Sequence, residues 1–406
     1  MAISEEIEQV GVWQAELESF LLRLGERFRR REPRLRMRDY VRDLLGPVSR
    51  KNSWQLAEYA GHATPDGLQR LLAGCVWDAD AVRDDVRDFV AGRLGEPDGV
   101  LIVDDTGFIK KGVTSAGVSR QYTGTSGKVD NCQIGVFAAY ASSRGRALID
   151  RDLYLPKSWT EDPQRCAAAR IPPGREFVTK PQIARAMVAR LLDAGLPAAW
   201  VAADEAYGQE FKFRRMCESA GVGYVLAVPK SQQVRTDRGI WRIDQVIGTA
   251  PDEAWERISA GDGAEGPRIY DWVVGLLPYV PDFDDLDDGG PAFERWILAR
   301  RSLATGEIAY YMAYGPAGTT IDDLARVAGM RWAIEECFGA AKNECGLDPY
   351  EVRRWTGWYR HITLAMAAHA FLAAQAADAV EKGANPNVNP LLYRCQWQRS
   401  GDSWRL

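Results

Sequence analysis

Val100-Leu101-Ile102-Val103-Asp104-Asp105-Thr106-Gly107 reads as a buried strand that runs into two acids and then a turn. Four apolar residues in succession suit a strand covered on both faces, whereas a half-exposed strand would alternate with period two. Residues 198–203 form a second apolar run, closing on Asp204-Glu205 and the turn residues Ala206-Tyr207-Gly208. At the carboxyl ends of strands in an α/β sheet, side chains project from a rigid edge, and ligands bind there. One acid so placed is commonplace; two make a candidate site.

Outward from these runs, strands are expected at 118–125, 133–141, 148–155 and 224–228, and helices at 181–194 and 209–220, with Gly221 closing the second helix. The order is β-β-β, helix, β, helix, β, with 148–155 a further strand before the first helix. Residues 1–93 carry helical apolar spacing throughout, and Thr64-Pro65-Asp66 has the form of a helix start, with Thr64 as cap and Pro65 at the first helical position. Residues 235–313 are strand-like and turn-rich, with Trp241, Trp255, Trp272 and Trp296 and a solvated acidic loop at 282–288. Residues 321–380 return to helical spacing. The chain thus divides into a helical segment 1–93, an α/β core begun at 94–234, a β-rich insertion at 235–313, a helical completion at 314–382 and a tail at 383–406.

The 406 residues include 51 Lys+Arg and 56 Asp+Glu, a net charge of −5, so no global field draws the chain to nucleic acid or anionic lipid. Locally the balance differs. Residues 23–51 hold eleven Lys/Arg against Glu26, Glu32, Asp39 and Asp43, a balance of 11 − 4 = +7. Within it Arg29, Arg30, Arg31 and Arg34 suit phosphate contact, although a solvated helix face would carry the same residues. The 46% hydrophobic content excludes a wholly disordered chain. The first 22 residues lack Lys and Arg, so no signal-peptide charge is expected there; the apolar run 364–380 is broken by His369, Gln375 and Asp378, as in a buried helix and unlike a membrane span. Seven cysteines without a C-x-x-C pair read as reduced thiols of a cytosolic protein.

Several familiar sites are excluded. Gly261-Asp262-Gly263-Ala264-Glu265-Gly266 fits G-x-G-x-x-G but lies between strand-like segments with no helix after it, so it reads as a turn. Gly124-Thr125-Ser126-Gly127-Lys128 lacks the glycine spacing and hydroxyl residue of a phosphate loop. His62, His361 and His369 are too few and too scattered for a histidine metal site. No G-x-S-x-G elbow is present.

The helical region completes the set. Arg331, Glu335, Phe338 and Lys342, spaced 4, 3 and 4, fall within about 60° of arc on one helix face. An exposed Arg331–Glu335 pair is the bland alternative. Trp332, Ile334 and Phe338 make the helix partly buried, which favours a carboxylate ligand flanked by phosphate-binding cations. Carboxylates without a His or Cys set suit Mg²⁺ or Mn²⁺, and two such ions can activate a hydroxyl and stabilise a leaving oxygen of a phosphodiester.

Together the segments Val103–Phe108, Ala203–Gly208 and Arg331–Lys342 resemble the three acidic motifs of DDE transposases from bacterial insertion sequences. The third matches the R-x3-E-x6-K part of a Y-x2-R-x3-E-x6-K signature, with Ala328 where the signature has Tyr. Arg120-Gln121-Tyr122-Thr123-Gly124, Asn131-Cys132-Gln133, Leu153-Tyr154-Leu155-Pro156 and Arg360-His361-Ile362-Thr363-Leu364 extend the likeness over about residues 50–372. The resemblance implies an α/β fold: a ribonuclease H-like mixed-sheet core with a β-rich insertion, preceded by an all-α DNA-binding domain. It implies cleavage at element ends, dependent on two Mg²⁺ ions that Mn²⁺ can replace. Transfer of the freed 3′-OH into target DNA follows, by transesterification.

By residue, it implies Asp104, Asp204 and Glu335 as metal ligands, with Asp105 the rival of Asp104, and Arg331 and Lys342 on DNA phosphate. An aromatic residue of the insertion would stabilise a flipped base, with Trp255, Trp272 and Trp296 as candidates against plain core packing. Double-stranded DNA is the expected partner and a homodimer the expected assembly when ends are paired. The expected setting is the bacterial cytoplasm, at the nucleoid when DNA is bound. A catalytically inactive DNA-binding protein and a non-transposing nuclease of the same fold are the competing functions. A carboxylate-pair glycosidase fits poorly with the Arg- and Lys-flanked Glu335.

Overall fold

The computed structural model describes residues 2–263, 266–278, 286–287 and 290–381, with residues 2–10, 286–287 and 290–291 described by backbone alone. The expected tail at 383–406, most of the acidic loop at 282–288 and the middle of the glycine-rich turn at 261–266 lie outside the described residues.

Five helices come first: α1 (Ala2–Gly25), α2 (Arg31–Leu45), α3 (Ser53–Tyr59), α4 (Asp66–Ala73) and α5 (Ala79–Leu94). Two begin at side-chain caps, Asn52 accepting from the Trp54 and Gln55 amides and Asp78 from those of Asp80 and Ala81. At α4 the expected start shifts by one residue. Pro65 is the cap position, and the Thr64 hydroxyl donates to the Asp66 carboxylate instead of accepting from the backbone.

The helices bury Leu17, Leu21, Met37, Val41, Leu44, Val82, Val86 and Val90 in the core that also holds the apolar residues of α14 (Trp355–Glu381). α14 is long and apolar enough to cross a membrane by length and composition, yet most of it is buried between these helices and the sheet. Its alanines at 365, 367, 368 and 370 are fully buried, as close packing on several sides requires.

The sheet follows: β1 (Val100–Ile109), β2 (Ser119–Thr123), β3 (Lys128–Ala141), β4 (Arg146–Tyr154), then α6 (Lys157–Thr160), α7 (Pro163–Ala168), α8 (Lys180–Asp193), β5 (Trp200–Ala203), α9 (Glu205–Gly208), α10 (Phe211–Ser219) and β6 (Gly223–Val228). β5 is parallel to β1 and to β6, while β3 is antiparallel to β1 and to β4. The order β4-β3-β1-β5-β6 is the five-stranded ribonuclease H-like core, and β2 shares the outer edge of β3 with β4.

The segment expected as an insertion contributes β7 (Gln233–Thr236), β8 (Gly239–Arg242), α11 (Ile243–Ile247), β9 (Glu256–Gly263), β10 (Gly266–Leu276), the two-residue β11 (Leu286–Asp287) and β12 (Gly290–Pro291), β13 (Phe293–Ser302) and β14 (Ile308–Pro316). Four of these strands continue the core sheet: β14 pairs antiparallel with β6, then come β13, β10 and β9. β6 is thereby covered and is not left as an open edge.

The helical completion is not continuous. α12 (Ile321–Met330) passes through Arg331, itself in helical conformation, to α13 (Trp332–Cys345). Gly346, at φ 67°, then ends α13 in the left-handed region that favours glycine.

Candidate active site

Register brings the two acidic strand ends together. Val103 on β1 is paired with Ala203 on β5, so Asp104 and Asp204 follow at the same level on neighbouring parallel strands, about 4.8 Å apart in the pairing direction. Strand alternation then separates Asp104 from Asp105. Asp104 faces Arg331 at the start of α13, with Nη1 3.6 Å from Oδ2. Two residues on, the Thr106 hydroxyl accepts from the Lys342 ammonium at 2.8 Å. Asp105 turns to α8, where the Lys180 ammonium donates to both its oxygens at 3.0 Å, and the Tyr207 hydroxyl donates to Oδ2 at 3.0 Å.

Of the four residues that share one helix face, Arg331, Phe338 and Lys342 reach the sheet, while Glu335 beside them stays exposed. Arg331 also donates to Glu335 Oε1 at 3.1 Å, and the Phe338 ring meets Phe137 of β3 edge-on, with centroids 5.4 Å apart. Gly107 is required where β1 passes the β2–β3 hairpin, because a Cβ there would lie 1.9 Å from Thr123 Oγ1.

The charge at this edge is poorly compensated. Burial first, then the neighbouring Asp204 and Asp105, push Asp104 up to about 7, opposed by the Asp105 amide and by Arg331. Asp204 is raised by burial and by Asp105, and lowered by Arg331 and by the amides of Ala206 and Tyr207 at the start of α9. Tyr207 is wholly buried, and desolvation together with the three surrounding aspartates holds its phenol well above the ordinary range. Burial lowers the Lys342 ammonium.

Among the described residues no three acidic or histidine side chains stand close enough to hold one ion as they are placed. Arg331 lies between Asp104 and Glu335, and the Glu335 side chain is 45% exposed.

Of the +7 segment, much is spent inside the fold. Arg27 pairs with Asp85, Arg36 with Glu32, and Arg38 and Arg42 with Glu18. Lys51 is buried and donates to the carbonyls of Leu44, Gly46 and Glu344. Arg29 and Arg30, before α2, and Arg31, its first residue, are exposed, and the exposed Arg34 donates to the Phe28 carbonyl.

Trp272 and Trp296 lie in the core at 0% and 6% exposure, whereas Trp255 packs half-buried under Arg301. His361 is a core residue: Nε2 donates to the Gly346 carbonyl at 3.0 Å, Nδ1 accepts from the Tyr40 hydroxyl at 2.8 Å, and burial drives its pKa down to about 3. Three residues take parts in the site that their sequence positions did not announce. Lys180 and Tyr207 bracket Asp105, and Trp332 lies half-buried under the guanidinium of Arg331 at 4.7 Å and that of Arg268 at 5.6 Å.

The sequence profile of the DDE superfamily endonucleases matches residues 23–240. The chain belongs to this family. It is 26% identical over 193 residues to the probable transposase for insertion sequence element IS701 of Microchaete diplosiphon, a stretch covering 47% of each chain, so the match spans about half the length of that relative. A cryo-EM structure of a piggyBac transposase synaptic complex with hairpin DNA aligns with 96% of this chain and 71% of its own, at a TM-score of 0.43 and 9% identity.

DDE superfamily endonucleases use divalent metal ions. The donor chemistry here fits such an ion: the oxygens are carboxylate, they are crowded by like charge, and Arg331 supplies the positive charge shared by Asp104 and Glu335.

Proposed function

We propose that this chain is the DNA transposase of an insertion sequence, cutting at the element's ends and joining the freed 3′-OH to target DNA by transesterification. The observation that carries the proposal is the register of Asp104 with Asp204 opposite a helix that presents Arg331, Glu335 and Lys342. Asp104, Asp204 and Glu335 would hold Mg²⁺, with Mn²⁺ able to replace it. Asp105, held by Lys180 and Tyr207, is the rival of Asp104. Two bound ions would activate the attacking oxygen and stabilise the leaving one.

The chain's own residues do the rest. Arg331 exchanges its carboxylate partners for a DNA phosphate, for which its planar fork is suited. Lys342, held by Thr106 and by Thr125 at 3.4 Å, places a second positive charge on the same face. The exposed arginines 29, 30, 31 and 34 contact the duplex away from the cut. Holding two ends at once calls for a homodimer, and the setting is the bacterial cytoplasm, at the nucleoid.

The test is cleavage of a duplex carrying the element's own terminal sequence, with Mg²⁺, Mn²⁺ or chelator. Metal-dependent nicking at the end, followed by joining to a second duplex, is the expected result. Nicking without dependence on the terminal sequence would indicate a plain nuclease, and binding without nicking an inactive DNA-binding protein.

A further inference from the structure

β7 and β8 form a two-stranded antiparallel ribbon that, among the described residues, pairs with no other strand. It leaves the sheet just after β6, whose Leu226 is in register with Ala203, the residue before Asp204. The ribbon therefore starts from the edge that carries the acidic site, one strand beyond Asp204.

Its surface is unusual for this chain. Every residue of β8 is exposed, including Ile240 at 69% and Trp241 at 47%, and on β7 Val234 alone is buried. From Pro229 to Arg242 the sequence holds Lys230, Arg235, Arg238 and Arg242 against Asp237, a balance of 4 − 1 = +3 in a chain of net charge −5. Arg242 is tied to Asp244 at 2.6 Å, but Arg235 and Arg238 are exposed and make no ion pair among the described residues.

We propose that the β7–β8 ribbon is a contact surface for duplex DNA, continuing the path of the strand bound at the acidic site. This rests on the reading of that site as one that cuts DNA. A two-stranded ribbon has the width to enter a major groove. Arg235 and Arg238 neutralise phosphates with release of counterions, and Ile240 and Trp241 lose their water against sugars and bases. A second copy of the chain is the poorer occupant, because two ribbons of like charge would have to meet.

The experiment uses the full chain and a short, labelled, random-sequence duplex, followed by fluorescence anisotropy over a range of salt concentrations. Arg235→Ala, Arg238→Ala and Trp241→Ala combined should weaken binding and lower the steepness of the log affinity against log salt plot by about 1.8, two phosphate contacts at 0.9 each. A second variant, Arg235→Lys with Arg238→Lys, should keep the wild-type slope. Circular dichroism and sedimentation velocity on the same samples read fold and assembly.

Wild-type protein that binds with a slope unaltered by the alanine variant overturns the ribbon contact and leaves the site's reading intact. Wild-type protein that binds no duplex overturns both. An alanine variant that changes only the sedimentation coefficient places the ribbon between copies of the chain and overturns the DNA contact.

Discussion

Two aspartates of one sheet, the fully buried Asp150 on β4 and the half-buried Asp104 on β1, live under opposite charge balances. Asp150 is fully buried and surrounded by cations: Arg190 Nε at 2.6 Å, Arg83 Nη1 at 3.6 Å and Arg151 Nη1 at 4.0 Å. These arginines reach it from α8, α5 and β4, so the cluster fastens the helical N-terminal segment to the sheet. Asp104 has Arg331 at 3.6 Å and two other aspartates beside it. What separates them is the ratio of positive to negative charge, because a structural carboxylate is compensated within the fold, while one awaiting a cation is left short.

Exchanging each acid for its amide tests that contrast. Asp104→Asn should abolish metal-dependent nicking while the protein folds at least as stably as wild type, since a like charge has been removed from beside Asp204 and Asp105. Asp105→Asn should lose less activity, because Lys180 and Tyr207 hold that side chain. Nicking assays beside thermal melts check both, and a greater loss from Asp105→Asn would make the rival the ligand.

Asp150→Asn should do the reverse, costing about 3 kcal/mol of stability, because Arg190 loses its ion-pair partner and Arg83 and Arg151, which keep Asp84 and Asp80, each lose a buried one. Its nicking rate, measured at low temperature where it is folded, should stay near wild type. A smaller effect is expected at Asp43 on α2, whose buried Oδ2 has no hydrogen-bond partner among the described residues. Burial and Asp39 raise its carboxyl from 3.8 to about 8, against the lowering by Arg42. A carboxyl raised on folding contributes stability that is fully present below about pH 4 and is lost as pH rises through about 8. Asp43→Asn should therefore melt a few degrees above wild type at pH 8 and level with it at pH 4.

The smallest effect on stability, within about 0.5 kcal/mol, is expected when Arg29, Arg30, Arg31 and Arg34 are all changed to Gln, because among the described residues Arg34's bond to a carbonyl is the one side-chain hydrogen bond they give up. Yet the salt slope of duplex binding should fall by up to about 3.6, four contacts at 0.9 each. An unchanged slope would return that cluster to a solvated surface.

Sequence pattern revealed the parts of this site that are local and missed those created by long-range register. Asp104 and Asp204 were legible because each closes an apolar run, and Glu335 because Arg331 and Lys342 share its helix face. Lys180 carries no such mark. It sits at the first turn of α8 behind a Thr179 cap, and its approach to Asp105 depends on how that helix crosses the sheet. Tyr207 lies in a quoted motif, but nothing in the spacing says that its hydroxyl turns back to β1. The strands of the 235–313 segment were readable as strands, whereas the pairing of β14 with β6, which makes them part of the core sheet, is a property of register between distant segments. The break after Cys345 was missed because apolar spacing resumes on its far side, although Gly346 and Pro349 mark it.

The most direct measurement is Mg²⁺-dependent nicking of the element's terminal duplex by wild type and Glu335→Gln, with duplex binding followed in the same samples. The variant should bind DNA with near wild-type affinity and yield no nicked product. Nicking by Glu335→Gln at the wild-type rate would contradict this, and would remove α13 from the catalytic site.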